Sequence, residues 1–468
     1  GYTTLYAHLN AFFPALAQYV KQKQYEQQSW RINLLLPPGL FTVKKGDYIA
    51  LSGNTGASQG PHVHFEIRDT KTENCLNPLL FNFPIPDAVP PTITRLAMYD
   101  RNRSTYEQAP QLLTLKRAAG SYTLAAPLLR VGSNKISFAI GAVDRFSGTP
   151  NPNGVYSARV IMDGEPVSEF LHDDISYYDT RYINAQLDLP YKSRGGADLQ
   201  HLAALPGAQD IPYNHFNEDG LIHLHDENPH RIEIEVLDAR LNTSKIQFSV
   251  QYDPSLGRPY ALPSGDRFIP GHVNILEQDG FELFTTERTI YDTITPVYRT
   301  SAATGANAIS PLHSFLGPGI PAHDSVTVRI RPSAAIPEEW RDRVVIKNTA
   351  GSRSYLHRAS WKNGWLSAKF RQFGSYQAFI DNVPPSVNAP ATNLSKATRL
   401  VFTPTDNFNI IRSFRAEVDG QWLCFSNDKG RTWVYQFDEK FPRGQHELKV
   451  TVEDEAGNIT TRSWIVTR

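Results

Sequence analysis

Apolar and polar side chains alternate along most of this chain. Residues 60–68 read GPHVHFEIR, and on an extended backbone side chains two apart share a face. His62 and His64 therefore project together on a face that also carries Glu66, while Val63, Phe65 and Ile67 point the other way and read as core. The same period of two recurs in HRIEIEVL (230–237), SVTVRI (325–330), RVVIKN (343–348) and HELKVTVE (446–453). One segment breaks it. Residues 11–28 put Phe12, Leu16, Tyr19 and Val20 on one side at helical spacing. An amphipathic helix is predicted there, its apolar face on a sheet and Lys21, Lys23 and Gln24 in water. The predicted fold class is mainly β with one inserted helix.

Two stretches occur twice. DAVPPTI (87–93) and DNVPPSV (381–387) each carry a proline pair that fixes an extended linker into a first strand. HRIEIEVLDARLNTSKIQFSV (230–250) and HELKVTVEDEAGNITTRSWIV (446–466) align without a gap, matching His230 with His446, Asp238 with Asp454 and Asn242 with Asn458. Between these ends each copy has an Asp-Gly turn, Asp163-Gly164 and Asp419-Gly420, as hairpins require. The repeat predicts two copies of one β-sandwich, residues 85–255 and 381–468, which resemble immunoglobulin-like modules. The first is enlarged by an insertion near 172–222. Residues 256–380 between them read as a further β domain, a spacer or docking unit, with a Pro- and Gly-rich loop at 304–322.

Composition narrows the possibilities. A chain of 468 residues holds about three or four domains. Its 47 basic and 47 acidic residues create no net field to recruit nucleic acid or an anionic membrane. No run of about 18 apolar residues occurs, so no transmembrane segment is expected. Cys75 and Cys424 fall in different domains and are expected as free thiols.

The candidate chemistry lies near the start, because neutral imidazole is the commonest protein metal ligand. In order come Y-A-H-L with His8, V-K-K-G-D-x-I-A, S-G-N-T-G-x-S-x-G-P-H-x-H-F-E-I-R and the closing Asn77-Pro78-Leu79. Together these motifs resemble the second half of the lysostaphin-type zinc endopeptidases over residues 1 to about 80. The resemblance implies a zinc held by a histidine and an aspartate from an upstream motif and by the second histidine of the pair, matched by His64. It implies catalytic roles for His8 and His62, which would orient or deprotonate the attacking water and stabilise the oxyanion. Residues 1–84 would then be the C-terminal half of the peptidase domain, and the chain a fragment whose two other ligands, and any signal peptide or lipid anchor, precede Gly1. The predicted helix sits where simpler members have a short hairpin, so it either lids the cleft or caps the sheet edge.

The implied function is a Zn²⁺-dependent endopeptidase that hydrolyses peptidoglycan cross-link peptides in the periplasm or cell envelope of a Gram-negative bacterium, associated with the outer membrane. The β modules would reach other envelope or outer-membrane proteins, and the fragment alone would be inactive. A non-catalytic envelope scaffold or hydrolase activator built on a degenerate peptidase fold is the main alternative, and an array of adhesin or glycan-binding modules the other. Two further patterns are weighed against simpler readings. His223, His225 and Asp226 imitate a metal pair but read as an exposed strand end. The pairs Asp238/Asn242 and Asp454/Asn458 sit on hairpin turns, where such side chains bond nearby backbone, with calcium as the other reading.

Overall fold

A strand with one apolar face needs a second layer to cover it, and three times along this chain two sheets close over one core. The structure is a computed structural model that describes residues 1–118, 121–208, 211–258, 260–261, 265–427 and 430–468. It is mainly β. In the first sandwich one sheet runs Tyr213–His215, Glu165–Leu171, Ser157–Met162, Pro229–Leu237, Thr243–Tyr252, Ser121–Val131, Leu115–Ala118 in spatial order. The facing sheet is built on Lys135–Val143, which pairs with Thr92–Asp100 on one side and with Gln200–His201 and Ile222–His223 on the other. Phe138, Phe170, Ile232, Ile234 and Phe248 fill the space between.

The last sandwich repeats this plan in smaller form. Its main sheet runs Gln421–Trp422, Ile411–Val418, Gln445–Asp454, Ile459–Thr467, the order of the four central strands of the first. Its facing pair, Arg399–Phe402 with Trp433–Gln436, closes a core of Phe402, Trp433, Tyr435 and Val450. Registers also correspond: Thr92 pairs with Val143 in the first copy, and Ser386 with Thr405 in the second, each five residues past the linker aspartate. Both Asp-Gly turns have positive φ at both residues, +52° and +93° in one, +47° and +78° in the other. In each a histidine Nδ1 meets the turn aspartate, His230 to Asp163 at 2.7 Å and His446 to Asp419 at 2.6 Å.

Between the sandwiches, two five-stranded sheets enclose Phe281, Phe315, Val326, Ile346, Phe370 and Tyr376. The runs at 325–330 and 343–348 lie in strands Pro321–Ile330 and Val344–Ala350. The segment 304–322 is not all loop, because it contains strand Leu312–Phe315, whose alternate residues His313 and Phe315 are buried.

The N-terminal sheet is small, with order Tyr2–Ala7, His64–Asp69, Cys75–Leu76, Asp174–Ile175. Its fourth strand comes from the insertion in the first sandwich. Asn77 ties the two together: its backbone N–H donates to the Asp173 carbonyl at 2.8 Å and its side-chain amide to the His172 carbonyl at 3.0 Å. Val63 departs from the predicted pattern, since the strand begins at His64 and Val63 is exposed. The helix spans Pro14–Gln27, with proline in its first turn and Gln28 in the left-handed conformation after it. Ala11–Phe12 instead pairs with Ala50–Leu51.

The polar side of that helix is only partly left in water. The Gln24 amide is buried and donates to the Trp30 carbonyl at 2.9 Å. Lys21 meets Asp438 at 2.9 Å and Glu439 at 3.2 Å, and the Tyr25 hydroxyl donates to Asp438 at 3.1 Å. The Tyr25 ring stands edge-on to Trp422, with centroids 5.4 Å apart. The expectation of a wet face holds in part, since the Lys21 and Lys23 side chains stay partly exposed, and fails at Gln24, while the Lys21 and Tyr25 partners lie some four hundred residues away on the last sandwich. Among the described residues no helix is long and apolar enough to cross a membrane.

The Tyr25 ring should matter more to this contact than the Lys21 ion pair. An edge-to-face pair adds about 0.5–1.5 kcal/mol beyond its buried area, whereas a half-exposed ion pair contributes about 0.2–1 kcal/mol. Tyr25→Ala is expected to speed amide hydrogen exchange across Pro14–Gln27 clearly, and Lys21→Ala only slightly. Equal protection in the Tyr25→Ala variant would rule the docking contact out.

Candidate active site

Antiparallel pairing of Tyr2–Ala7 with His64–Asp69 sets Ala7 opposite His64, so His8, next along the chain, emerges beside the histidine motif. His62 arrives separately, through a two-residue bridge between His62 and Gly53. The result is a cluster of three imidazoles, with ring centroids of His8 and His62 4.8 Å apart and those of His8 and His64 5.9 Å apart. Gly53 makes this approach possible. A β-carbon there would lie 2.6 Å from the Asn10 nitrogen and 2.8 Å from the His8 carbonyl oxygen.

Each ring is fixed by an acceptor, which decides where its proton sits. His8 Nδ1 lies 2.7 Å from the Thr55 carbonyl, and His62 Nδ1 2.8 Å from the Gly60 carbonyl. A carbonyl can only accept, so both rings carry hydrogen on Nδ1 and, when neutral, a free lone pair on Nε2. His64 is held the other way round, with Nε2 2.6 Å from Glu66 Oε1. Its free lone pair is on Nδ1.

Glu66 is the hub behind the histidines. Its Oε1 also accepts from the Tyr177 hydroxyl at 2.6 Å, and its Oε2 accepts from Arg68 Nε at 2.8 Å and Nη2 at 2.6 Å. Arg68 in turn lies over the Tyr177 ring, 4.5 Å from its centroid. Burial works to raise the Glu66 carboxyl, but the Tyr177 hydroxyl, the His64 ring and the Arg68 guanidinium outweigh it and bring it down to about 2. Glu66 is thus a carboxylate at any ordinary pH and can only accept. The period-two pattern placed Glu66 on the histidine face. No sequence signal pointed to Tyr177, which the insertion delivers from 111 residues further on.

The helix borders the site. With residues 30–36 it lines a groove of 780 Å³ whose walls include Phe12, Leu16, Val20, Trp30 and Leu34 and whose end is formed by Thr55 and Gly56, next to His8. The second histidine pair does not assemble a site. His223 bonds Asp219 at 2.9 Å and its ring stacks against His225, and among the described residues neither belongs to a converging group of three ligand atoms.

Two family models match parts of the chain, peptidase family M23 over residues 41–78 and the Zu5-like domain over residues 267–381. The N-terminal segment is M23-like. A Haemophilus influenzae protein described as an uncharacterized metalloprotease is 54% identical over 62 residues, which is 13% of this chain and 13% of that protein's length. The M23-like segment contains His62 and His64 and ends within the Asn77-Pro78-Leu79 motif. Among solved structures, the Bacteroides ovatus glucan-utilization protein SGBP-B in complex with a mixed-linkage heptasaccharide is 13% identical, with 81% of this chain and 70% of that one covered, at a TM-score of 0.15. The fibronectin(III)-like modules of Clostridium thermocellum CbhA are 10% identical, with 76% and 93% covered, at a TM-score of 0.14. Likenesses at such scores identify no common fold.

Two variants test the geometry. Gly53→Ala places a methyl group against backbone, and overpacking of this kind costs about 1–3 kcal/mol. It should displace His8 from His62, seen as lost contacts between their ring protons by NMR, while Gly46→Ala, in open space, should leave them. For Glu66 the sign follows from its lowered pKa. Stability from its bonds is present above its unfolded value of 4.5 and lost as pH falls toward about 2. Tyr177→Phe removes one donor, so acid disruption of the histidine cluster should start at higher pH than in the parent. An unchanged acid profile would mean that Tyr177 does not hold Glu66.

Proposed function

We propose that residues 1–84 form the C-terminal half of the catalytic domain of a zinc metalloendopeptidase that cuts peptidoglycan cross-link peptides in a Gram-negative envelope, with the β domains positioning it there. The observation that carries this reading is the set of three imidazoles with divided tautomers. His64 would hold the zinc through Nδ1, because Glu66 occupies Nε2 in the carboxylate–histidine arrangement typical of ligating imidazoles. Two further ligands would come from sequence ahead of Gly1. When bound, zinc lowers the pKa of a coordinated water to about 7.

His8 and His62 remain as acid and base. With Nδ1–H donated to Thr55 and Gly60, each offers Nε2 to take a proton from the attacking water and return it to the leaving amine. The apolar groove beside His8 suits the stem of a peptide substrate. Within residues 1–84 Ile67 is the one apolar side chain below 9% exposure, so this segment has apolar surface to spare for further strands. The alternative, a scaffold or hydrolase activator, rests on His64 belonging to no converging group of three ligand atoms among the described residues.

Expressed behind the sequence that precedes Gly1, the protein is expected to hold one zinc and to digest purified murein until a chelator is added. His64→Ala should lose metal and digestion together. His8→Ala and His62→Ala should keep the metal and lose about 10²- to 10⁴-fold in rate. A full-length protein without zinc, or His8 and His62 variants as fast as the parent, would shift the reading to the scaffold.

A further inference from the structure

Each sandwich gathers three aspartates from three separate places. In the first, Asp87 from the linker, Asp144 from the end of strand Lys135–Val143 and Asp238 from the turn after Pro229–Leu237 bring one carboxylate oxygen each within 4.8 Å of one another. In the last, Asp381, Asp406 and Asp454 do the same. The positions correspond one to one. Asp87 and Asp381 open the two D-x-x-P-P linkers, Asp144 and Asp406 each follow the residue paired five places beyond that aspartate, and Asp238 and Asp454 head the two D-x-x-x-N turns.

The asparagines fix the third aspartate in the same way in both copies. Asn242 donates its backbone N–H to Asp238 Oδ1 at 2.9 Å and its side-chain amide to Oδ2 at 2.8 Å, and Asn458 does so to Asp454 at 2.8 Å and 2.8 Å. Each side-chain amide also reaches the carbonyl of the linker aspartate, Asp87 at 3.4 Å and Asp381 at 2.8 Å. The turn reading of these pairs therefore holds, but it accounts for only part of the arrangement.

What the turns leave over points to a ligand. Asp144 is 2% exposed with Oδ1 lacking any partner, and Asp381 is 0% exposed with Oδ2 lacking one. Asp87 Oδ2 and Asp406 Oδ1 are likewise buried and unpartnered. Among the described residues, every buried carboxylate oxygen without a hydrogen-bond partner belongs to one of these two clusters. Burying a charged oxygen unpaired costs several kcal/mol as an order of magnitude, and crowding three carboxylates adds repulsion. Burial first, with the neighbouring carboxylates adding to it, pushes Asp144 and Asp406 up to about 6. A duplicated fold has no reason to keep such an arrangement twice unless a cation neutralises it.

We propose that each sandwich binds one calcium ion through its aspartate triad, clamping the linker that enters the sandwich to the sandwich itself. The donors are all oxygen, without imidazole or thiolate, which selects a hard divalent cation over zinc or copper. They come from a linker, a strand end and a turn, with backbone carbonyls close by. That irregular set suits calcium, which accepts six to eight oxygens flexibly, better than magnesium, which demands a near-ideal octahedron and gives up its waters reluctantly. The sites lie at domain junctions. Asp381 follows strand Gly374–Ile380 of the middle domain, its N–H donates to the Arg343 carbonyl at 2.9 Å, and its Oδ1 accepts from Asn407 at 3.0 Å. Filling the two triads would stiffen the entry to both sandwiches.

The test uses the whole chain stripped with a chelator and titrated calorimetrically with calcium chloride. Two ions per chain are expected, with dissociation constants below about 10⁻³ M, and calcium should raise the unfolding temperature. Asp144→Asn combined with Asp238→Asn should leave one site, Asp406→Asn with Asp454→Asn should leave the other, and the fourfold variant none. Because asparagine relieves repulsion, Asp144→Asn should unfold no earlier than the parent in chelator while losing its share of the calcium-dependent rise. That readout separates a lost site from a damaged fold. No calcium binding, an equal or stronger response to magnesium, or a calcium response preserved in the fourfold variant would overturn the proposal.

Discussion

Glu66 is the point on which the N-terminal part of this protein turns. One carboxylate receives the imidazole of His64, the hydroxyl of Tyr177 and the guanidinium of Arg68, and those three belong to the candidate site, the insertion in the first sandwich and the inner strand His64–Asp69 of the small sheet. The small sheet buries little apolar surface, so its geometry depends on directional polar bonds rather than on a deep core. Charge-assisted hydrogen bonds are about twice as strong as neutral ones, and four of them on a mostly buried carboxylate hold the His64 ring in one orientation. Strand Asp174–Ile175 acts in the same direction, adding backbone bonds from the sandwich to the sheet.

The same economy recurs across domain borders. The helix at Pro14–Gln27 is anchored through Lys21 and Tyr25 to Asp438 on the last sandwich. The linkers Asp87 and Asp381 are drawn into acidic clusters with turns of the sandwiches they enter. The helix contact thus uses polar groups that would be costly to bury alone and become favourable once a partner from another domain meets them, whereas the aspartate clusters leave carboxylate oxygens unpartnered. A chain of modules joined in this way holds a site at a set distance and orientation, as the proposed envelope peptidase requires.

Local patterns carried much of this plan. The period-two runs, the D-x-x-P-P entries, the Asp-Gly turns and the D-x-x-x-N ends each depend on neighbours within a few residues, and pleat and turn chemistry act at that range. They announced a mainly β chain with two related modules. The placement of His8 beside His62 and His64 also followed from linear motifs, and Glu66 lay on the histidine face of its strand. The reading failed in different ways: Val63 fell outside the strand that starts at His64, Gln24 was buried under a chain reversal that brings back the Trp30 carbonyl, and the segment 304–322 contained a strand whose partner, Gly374–Ile380, is distant.

By itself, then, the sequence determined the strand periodicity, the duplicated module and the three histidines, because these follow from spacing along one backbone. Only the tertiary structure decided which nitrogen of each histidine is free, since that depends on how each ring turns toward its acceptor, the Thr55 carbonyl from another segment for His8 and the nearby Gly60 carbonyl and Glu66 carboxylate for His62 and His64. It alone brought Tyr177 to Glu66 and assembled each aspartate triad from residues between 25 and 151 positions apart along the chain, as Asp381 to Asp406 and Asp87 to Asp238 are. Long-range electrostatics and hydrogen bonding have no period, and no pattern in a single strand records them.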